Sequence, residues 1–165
     1  MSRPIMFSKV FLKGHPREGE LTEFRSGLYR CLYEMKLLKE IPLPNIYYFY
    51  IGIAKCKSHT IRAGHRWKVG DFFSPREWSG KPYRSKHTIL FDDIQIVKIW
   101  DIRITDNFRI FIDGVEIITY EDLAHNDGLT LHDFMFWFAK SLPFDGQIIC
   151  WNKDVDYTQS KYYFK

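Results

Sequence analysis

Between Ser58 and Ile118 five short β-rich runs follow one another, each closed by turn residues, and no stretch between the runs is long enough for a crossover helix. Ser58 to Arg62, Asp71 to Glu77, Tyr83 to Phe91, Ile94 to Ile104 and Phe108 to Ile118 are predicted strands, the last folded on itself at Asp113-Gly114, a strong hairpin signal. Parallel neighbours need connections of a dozen or more residues, usually helical. The spacing therefore predicts antiparallel strands closing into a small barrel around Ile61, Val69, Ile96 and Ile110.

The flanks of this stretch predict peripheral helices. Ile5 to Leu12 alternates like a strand and runs into Lys13 to Glu20, where two glycines and a proline forbid regular structure. Leu21, Phe24, Leu28, Leu32, Met35 and Leu38 then recur at helical steps, ended by Pro42 and Pro44. Gly27 weakens that helix by about 1 kcal/mol relative to Ala. Ile46 to Ala54 is short and apolar, which fits a buried strand or one more helical turn. Thr119 and Thr130 each precede a carboxylate by three residues, Asp122 and Asp133, and predict two helix starts with capping boxes. The second of these helices buries Leu131, Phe134, Trp137 and Phe138, Gln147 to Trp151 returns as a strand, and residues 152–165 form a polar, Tyr-rich tail. The class is α+β.

At 165 residues the chain fits one domain, residues 1–165, with a core large enough to need no disulfide or metal. Aromatic residues make up 18%, so the core is ring-rich. Cys31, Cys56 and Cys150 are odd in number and widely spaced with no signal-peptide pattern ahead of them, which predicts reduced thiols and a cytoplasmic setting. The longest apolar runs fall well short of the roughly 20 residues a membrane helix requires, so no membrane partner is expected.

Charge is unevenly spread. From Lys55 to Thr88 nine Lys and Arg face only Asp71 and Glu77, a surplus of seven, while the remainder carries 15 basic and 18 acidic residues. A polyanion or nucleotide is the natural partner of such a stretch. Trp67, Trp78 and Tyr83 are interleaved with Arg62, Arg66, Lys68, Arg76 and Arg84, as base-stacking groups flanked by phosphate contacts would be. No GxxxxGK[ST] run occurs, which argues against ATP chemistry, and no cofactor is expected. His15, His59, His65, His125, His132 and Cys56 lack CxxC or HxxxH spacing, so no metal site is expected either.

Two segments carry a family resemblance. Lys57-Ser58-His59-Thr60-Ile61-Arg62 followed by Trp67-Lys68-Val69-Gly70-Asp71, and Asp127-Gly128-Leu129-Thr130-Leu131 with the strand at Gln147-Ile148-Ile149, resemble ASCH domains, a PUA-like β-barrel family. With Gly14-His15-Pro16-Arg17 and Trp78-Ser79-Gly80-Lys81-Pro82-Tyr83, the pattern is also similar to longer ASCH-like proteins of bacteria and phages. The resemblance implies a mixed or antiparallel PUA-like barrel whose basic cleft binds single-stranded RNA or a modified nucleoside, DNA being a further candidate. The basic stretch with its interleaved aromatics supplies the expected ligand contacts of that cleft, His59, Arg62, Arg66, Lys68, Trp78, Lys81, Tyr83 and Arg84.

One branch of the family hydrolyses N4-acetylcytidine with a Lys, a Thr and a Glu, which fall here on Lys57, Thr60 and Asp127, the last a carboxylate one methylene shorter. Amide hydrolysis needs a nucleophile, a proton acceptor and oxyanion donors, and these residue types supply them. In a regular strand residues three apart face opposite sides, so Lys57 and Thr60 converge only if Lys57 precedes the strand in a bend. A third expectation is a phage or host interaction module whose basic face meets an acidic protein.

Overall fold

The computed structural model describes residues 2–40 and 55–163. Ile46 to Ala54, for which the sequence allows a strand or a helical turn, lies outside them. Nine strands are present among the described residues: Arg3–Phe7 (β1), His59–Ala63 (β2), Phe72–Trp78 (β3), His87–Ile89 (β4), Ile94–Gln95 (β5), Lys98–Ile104 (β6), Ile110–Ile112 (β7), Val115–Glu116 (β8) and Phe144–Cys150 (β9). They form two sheets, not one closed ring: β1-β3-β4 with β5 also on β3, and β2-β9-β6-β7-β8. The described pairs are antiparallel except β1 beside β3, which is parallel. That exception needs no crossover helix within the strand-rich stretch, because β1 arrives from far upstream in the sequence.

The sheets hand the chain over at Ile96 and Val97. Ile96 N donates to Asp71 O at 2.8 Å, on the first sheet's side, and Val97 N donates to Cys150 O at 2.9 Å, on β9. The predicted strand from Ile94 to Ile104 is therefore two, β5 and β6. Strand β9 is buried from Gly146 to Cys150 because it lies between β2 and β6, with Ile149 opposite Thr60 and Ile99. Both inner faces contribute to one core. Phe7, Phe73 and Trp151 join the two sheets, with ring centroids 6.3 Å and 5.4 Å from Trp151, and Ile96, Ile102, Ile104, Ile110 and Ile148 are fully buried beside them.

Val69 departs from the expected core and is 63% exposed. It sits on a turn where Asp71 N bonds back to Lys68 O and Gly70 takes φ +92°, so its side chain has no sheet face to share. The expected strand from Tyr83 shortens to β4, since Arg84 N closes a turn on Lys81 O and Tyr83 adopts φ +63°.

Among the described residues three α-helices pack on the outside: Phe24–Glu34 (α1), Glu121–Asn126 (α2) and Leu131–Phe138 (α3). Thr130 caps α3 as its sequence predicts, accepting from Asp133 N at 3.1 Å. Thr119 does not cap α2, which begins one residue later with Tyr120 at the cap position and no side-chain bond. The tail is ordered into the core in part: Val155, Tyr157 and Tyr162 are buried, with Tyr157 edge-on to Trp100.

Candidate active site

Lys57 sits before β2 in a non-strand segment, as its convergence with Thr60 requires. Three elements pin its backbone. Lys57 N donates to Gly27 O on α1 at 3.0 Å, Lys57 O accepts from Trp151 Nε1 at 3.1 Å, and the next residue, Ser58, donates from N to Asn126 O at the end of α2 at 2.8 Å. The approach to α1 is so close that a Cβ on Gly27 would fall 2.5 Å from Lys55 O.

The side chain then runs inward. Lys57 is 1% exposed, and its Nζ donates to Asp127 O at 2.5 Å and to Asp127 Oδ1 at 3.2 Å. It also lies 4.3 Å from the Phe24 ring centroid and 5.5 Å from that of Phe7. Asp127 follows α2 directly, and the chain turns away at Gly128, whose φ is +86° and whose missing Cβ would meet Phe24 and Lys57 at 3.3 to 3.4 Å. The turn between α2 and α3 thus fixes the carboxylate over the lysine.

Burial drives the Lys57 pKa below its ordinary value, with Asp127 opposing and Arg62 adding to the drop. Burial alone would raise Asp127, but Lys57 beside it holds the carboxyl below its usual range. Removing a charged pair from water costs each member strongly unless the pair is close and further bonded, and both conditions hold here.

His59 is fully buried behind this pair and does not line the cleft, contrary to its expected role as a ligand contact. In β2 it alternates away from Thr60, so its ring points inward, Nε2 lying 2.7 Å from Tyr157 Oη and Nδ1 3.6 Å from Asp127 Oδ1. Nδ1 makes no hydrogen bond in this arrangement. Burial lowers the His59 pKa, which keeps the ring neutral beside Lys57. Asn126 Nδ2 donates to the same Tyr157 oxygen at 3.0 Å.

Lys57, Thr60 and Asp127 line one cleft of about 150 Å³, walled by Phe7, Phe24, Arg62, Trp78, Tyr83 and Trp137. The Thr60 hydroxyl has no hydrogen-bond partner among the described residues. Arg62 donates from Nη2 to Met6 O at 2.5 Å, while its buried Nε has no partner. Trp78 and Tyr83 lie 5.5 Å apart, and Tyr83 is 90% exposed at the rim. Lys81 and Arg84 flank that rim on the same turn, exposed and outside the cleft lining; Arg66 and Lys68 are exposed on the loop after β2.

A wider surface depression, about 660 Å³, lies elsewhere. It is bounded by His65, Asp101, Arg103, Arg109 and Asp145, where an exposed His65 spans Asp101 and Asp145 at 3.0 and 3.3 Å. No buried reactive group opens into it, so the smaller cleft is where chemistry is concentrated. Among the described residues no group of three His, Cys, Asp or Glu could hold a metal ion, and no helix is long and apolar enough to cross a membrane.

Sequence reasoning missed the walls Phe24 and Trp137 and the supporting Gly27, Asn126, Trp151 and Tyr157. The helical pattern marks Phe24 and Trp137 as apolar without telling core from cleft, and nothing near Tyr157 in sequence points to His59. Comparison with protein-family models, with curated proteins and with solved structures finds no match.

Proposed function

We propose that the cleft at Lys57 binds a nucleobase and hydrolyses an acyl amide on its exocyclic amine, the N4-acetyl group of cytidine being the model substrate. One observation carries the reading: a fully buried lysine with a lowered pKa, paired to a carboxylate, shares a small aromatic-walled cleft with an unbonded threonine hydroxyl. Strongly perturbed groups converging in a cleft are the usual signature of acid and base catalysis. The similarity of the Lys57, Thr60 and Asp127 motif to the hydrolytic ASCH branch supports the same chemistry.

The steps follow from the residue chemistry. In its unprotonated form Lys57 takes the proton of the Thr60 hydroxyl as its oxygen adds to the acyl carbonyl, and the developing oxyanion draws on the Arg62 guanidinium that lines the cleft. Lys57 returns the proton to the exocyclic nitrogen as the carbon–nitrogen bond breaks, leaving cytidine and an acetyl ester on Thr60. Water then adds to the ester with Lys57 again accepting a proton, which it returns to the Thr60 oxygen as acetic acid leaves and ionises to acetate in solvent. Asp127 orients the lysine throughout. Trp78 and Tyr83 offer faces on which a planar base stacks, worth about 1 to 3 kcal/mol per base.

The test is chromatographic appearance of cytidine from N4-acetylcytidine. Thr60→Ala and Lys57→Ala each remove most of the rate, because groups acting as a unit fail together. Product that never exceeds the uncatalysed background, or that persists in both variants, rejects the hydrolase. A second reading, recognition of single-stranded RNA without turnover, is favoured by the exposed Lys81 and Arg84 on either side of the rim residues Pro82 and Tyr83.

A further inference from the structure

The Lys57 cleft is small for a whole substrate. At about 150 Å³ it holds a single ring and a short substituent, whereas sites for drug-sized ligands run to roughly 300–1,000 Å³. Two of its walls, Leu12 and Trp137, are also walls of a second cavity of about 260 Å³, completed by Lys13, Gly14, His15, Phe136, Lys140 and Ser141. The two spaces therefore adjoin across one apolar sill.

Electrostatics set what the second space accepts. Lys13 and Lys140 are exposed and have no ion-pair or hydrogen-bond partner among the described residues. The Lys140 ammonium lies over the backbone of Gly14, in the space that any side chain there would fill, and Gly14 takes φ +92°. The nearby carboxylates are engaged: Arg17 binds Glu20 at 2.6 Å and Asp133 at 2.7 Å, and Glu18 accepts from Gly14 N at 3.1 Å. His15 is also spent inward. Its Nδ1 accepts from Arg17 N at 3.0 Å, which leaves Nε2 as the donor to Asp133 O at 3.2 Å. The groups left over are two unpaired ammonium ions beside an aromatic wall, which select an anion.

We propose that this second cavity is a phosphate subsite of the same cleft, so that the molecule recognised is a nucleotide unit and not a free nucleoside. The inference rests on reading the Lys57 cleft as a nucleobase site. The base enters that cleft, the sugar crosses the sill of Leu12 and Trp137, and the phosphate lies between Lys13 and Lys140. A terminal phosphate and a chain phosphodiester present the same chemistry to the lysines.

The experiment titrates the protein with cytidine, cytidine 5′-monophosphate, cytidine 3′-monophosphate and the dinucleotide CpC, following backbone amide shifts. Cytidine moves the Thr60 amide alone; a phosphate in the subsite also moves Gly14 and Ser141 and tightens binding by about tenfold, equivalent to about 1.4 kcal/mol. Gain from a monophosphate assigns a terminal phosphate, and gain from CpC alone assigns a phosphodiester in a chain. Lys13→Ala combined with Lys140→Ala abolishes the gain while cytidine binds as before, since both residues are exposed and outside the Lys57 cleft. Cytidine binding with no gain from any phosphate, or a gain that survives the double variant, overturns the subsite and leaves the base cleft standing. Absence of binding by all four probes overturns both.

Discussion

Lys57 is the residue whose energetics argue most directly for a role beyond folding. Replacing one member of a buried ion pair leaves the other uncompensated, at about 3 to 5 kcal/mol, whereas replacing both by apolar groups of similar volume is often neutral or stabilising. Lys57→Met should therefore destabilise the fold by about 3 kcal/mol, because Asp127 stays buried without its partner, and Lys57→Met combined with Asp127→Leu should recover most of that loss. Denaturant melts of the four proteins complete the cycle. Recovery of stability without recovery of cytidine release separates the pair's chemistry from its structural part. The pH profile gives a second handle. A base acts unprotonated, so the rate rises with pH through the Lys57 pKa, which burial places below the usual lysine value near 10.4. Asp127 opposes that drop, so Asp127→Asn should move the rising limb to lower pH even as it reduces the maximum rate. A limb that stays in place assigns the titration to another group.

At the scale of elements, α1 matters through one glycine. Ala is intrinsically the better helix former by about 1 kcal/mol, so propensity alone predicts that Gly27→Ala stabilises. The packing predicts the reverse: a Cβ at Gly27 would lie 2.5 Å from Lys55 O and 3.3 Å from Lys57 Cβ. Gly27→Ala should lower the melting temperature and weaken catalysis together, since the displaced segment carries Lys57; a rise in melting temperature would show that the helix can shift without cost. The sequence marks Gly27 only as a weak point in a helix, because a close approach between distant segments leaves no periodic trace. Local chemistry was legible where it is self-contained: the Asp113-Gly114 hairpin joins β7 to β8, and the Thr130 cap forms. The pairing of β1 with β3 and of β2 with β9 was not, because both join strands far apart in the chain. Lys57, Thr60 and Asp127 share a cleft as the motif implies, while His59, one residue from Thr60, turns inward by the alternation of the strand.

For the whole molecule, the basic third of the sequence is not one basic surface. Lys57 is buried, Arg62 is tied to Met6 O, and Arg76 donates to Ser74 Oγ at 3.0 Å and lies 3.2 Å from the His87 ring. Four expected contacts remain as exposed cations, Arg66, Lys68, Lys81 and Arg84, two on the loop after β2 and two on the turn that carries Tyr83. If all four meet phosphates of one single strand, log K falls with log salt at a slope of about −0.7 × 4, or roughly −3. Lys81→Ala combined with Arg84→Ala then halves the slope to about −1.4 and weakens short RNAs of different sequence alike, since phosphate contacts carry no base information. Both side chains are exposed, so the melting temperature should stay put and loss of binding cannot be ascribed to unfolding. Filter binding of a short single-stranded RNA across a salt series measures the slope for native and variant proteins. A slope unchanged in the variant removes the Tyr83 turn from the path of the strand. A native slope near zero confines recognition to what the Lys57 cleft itself can hold.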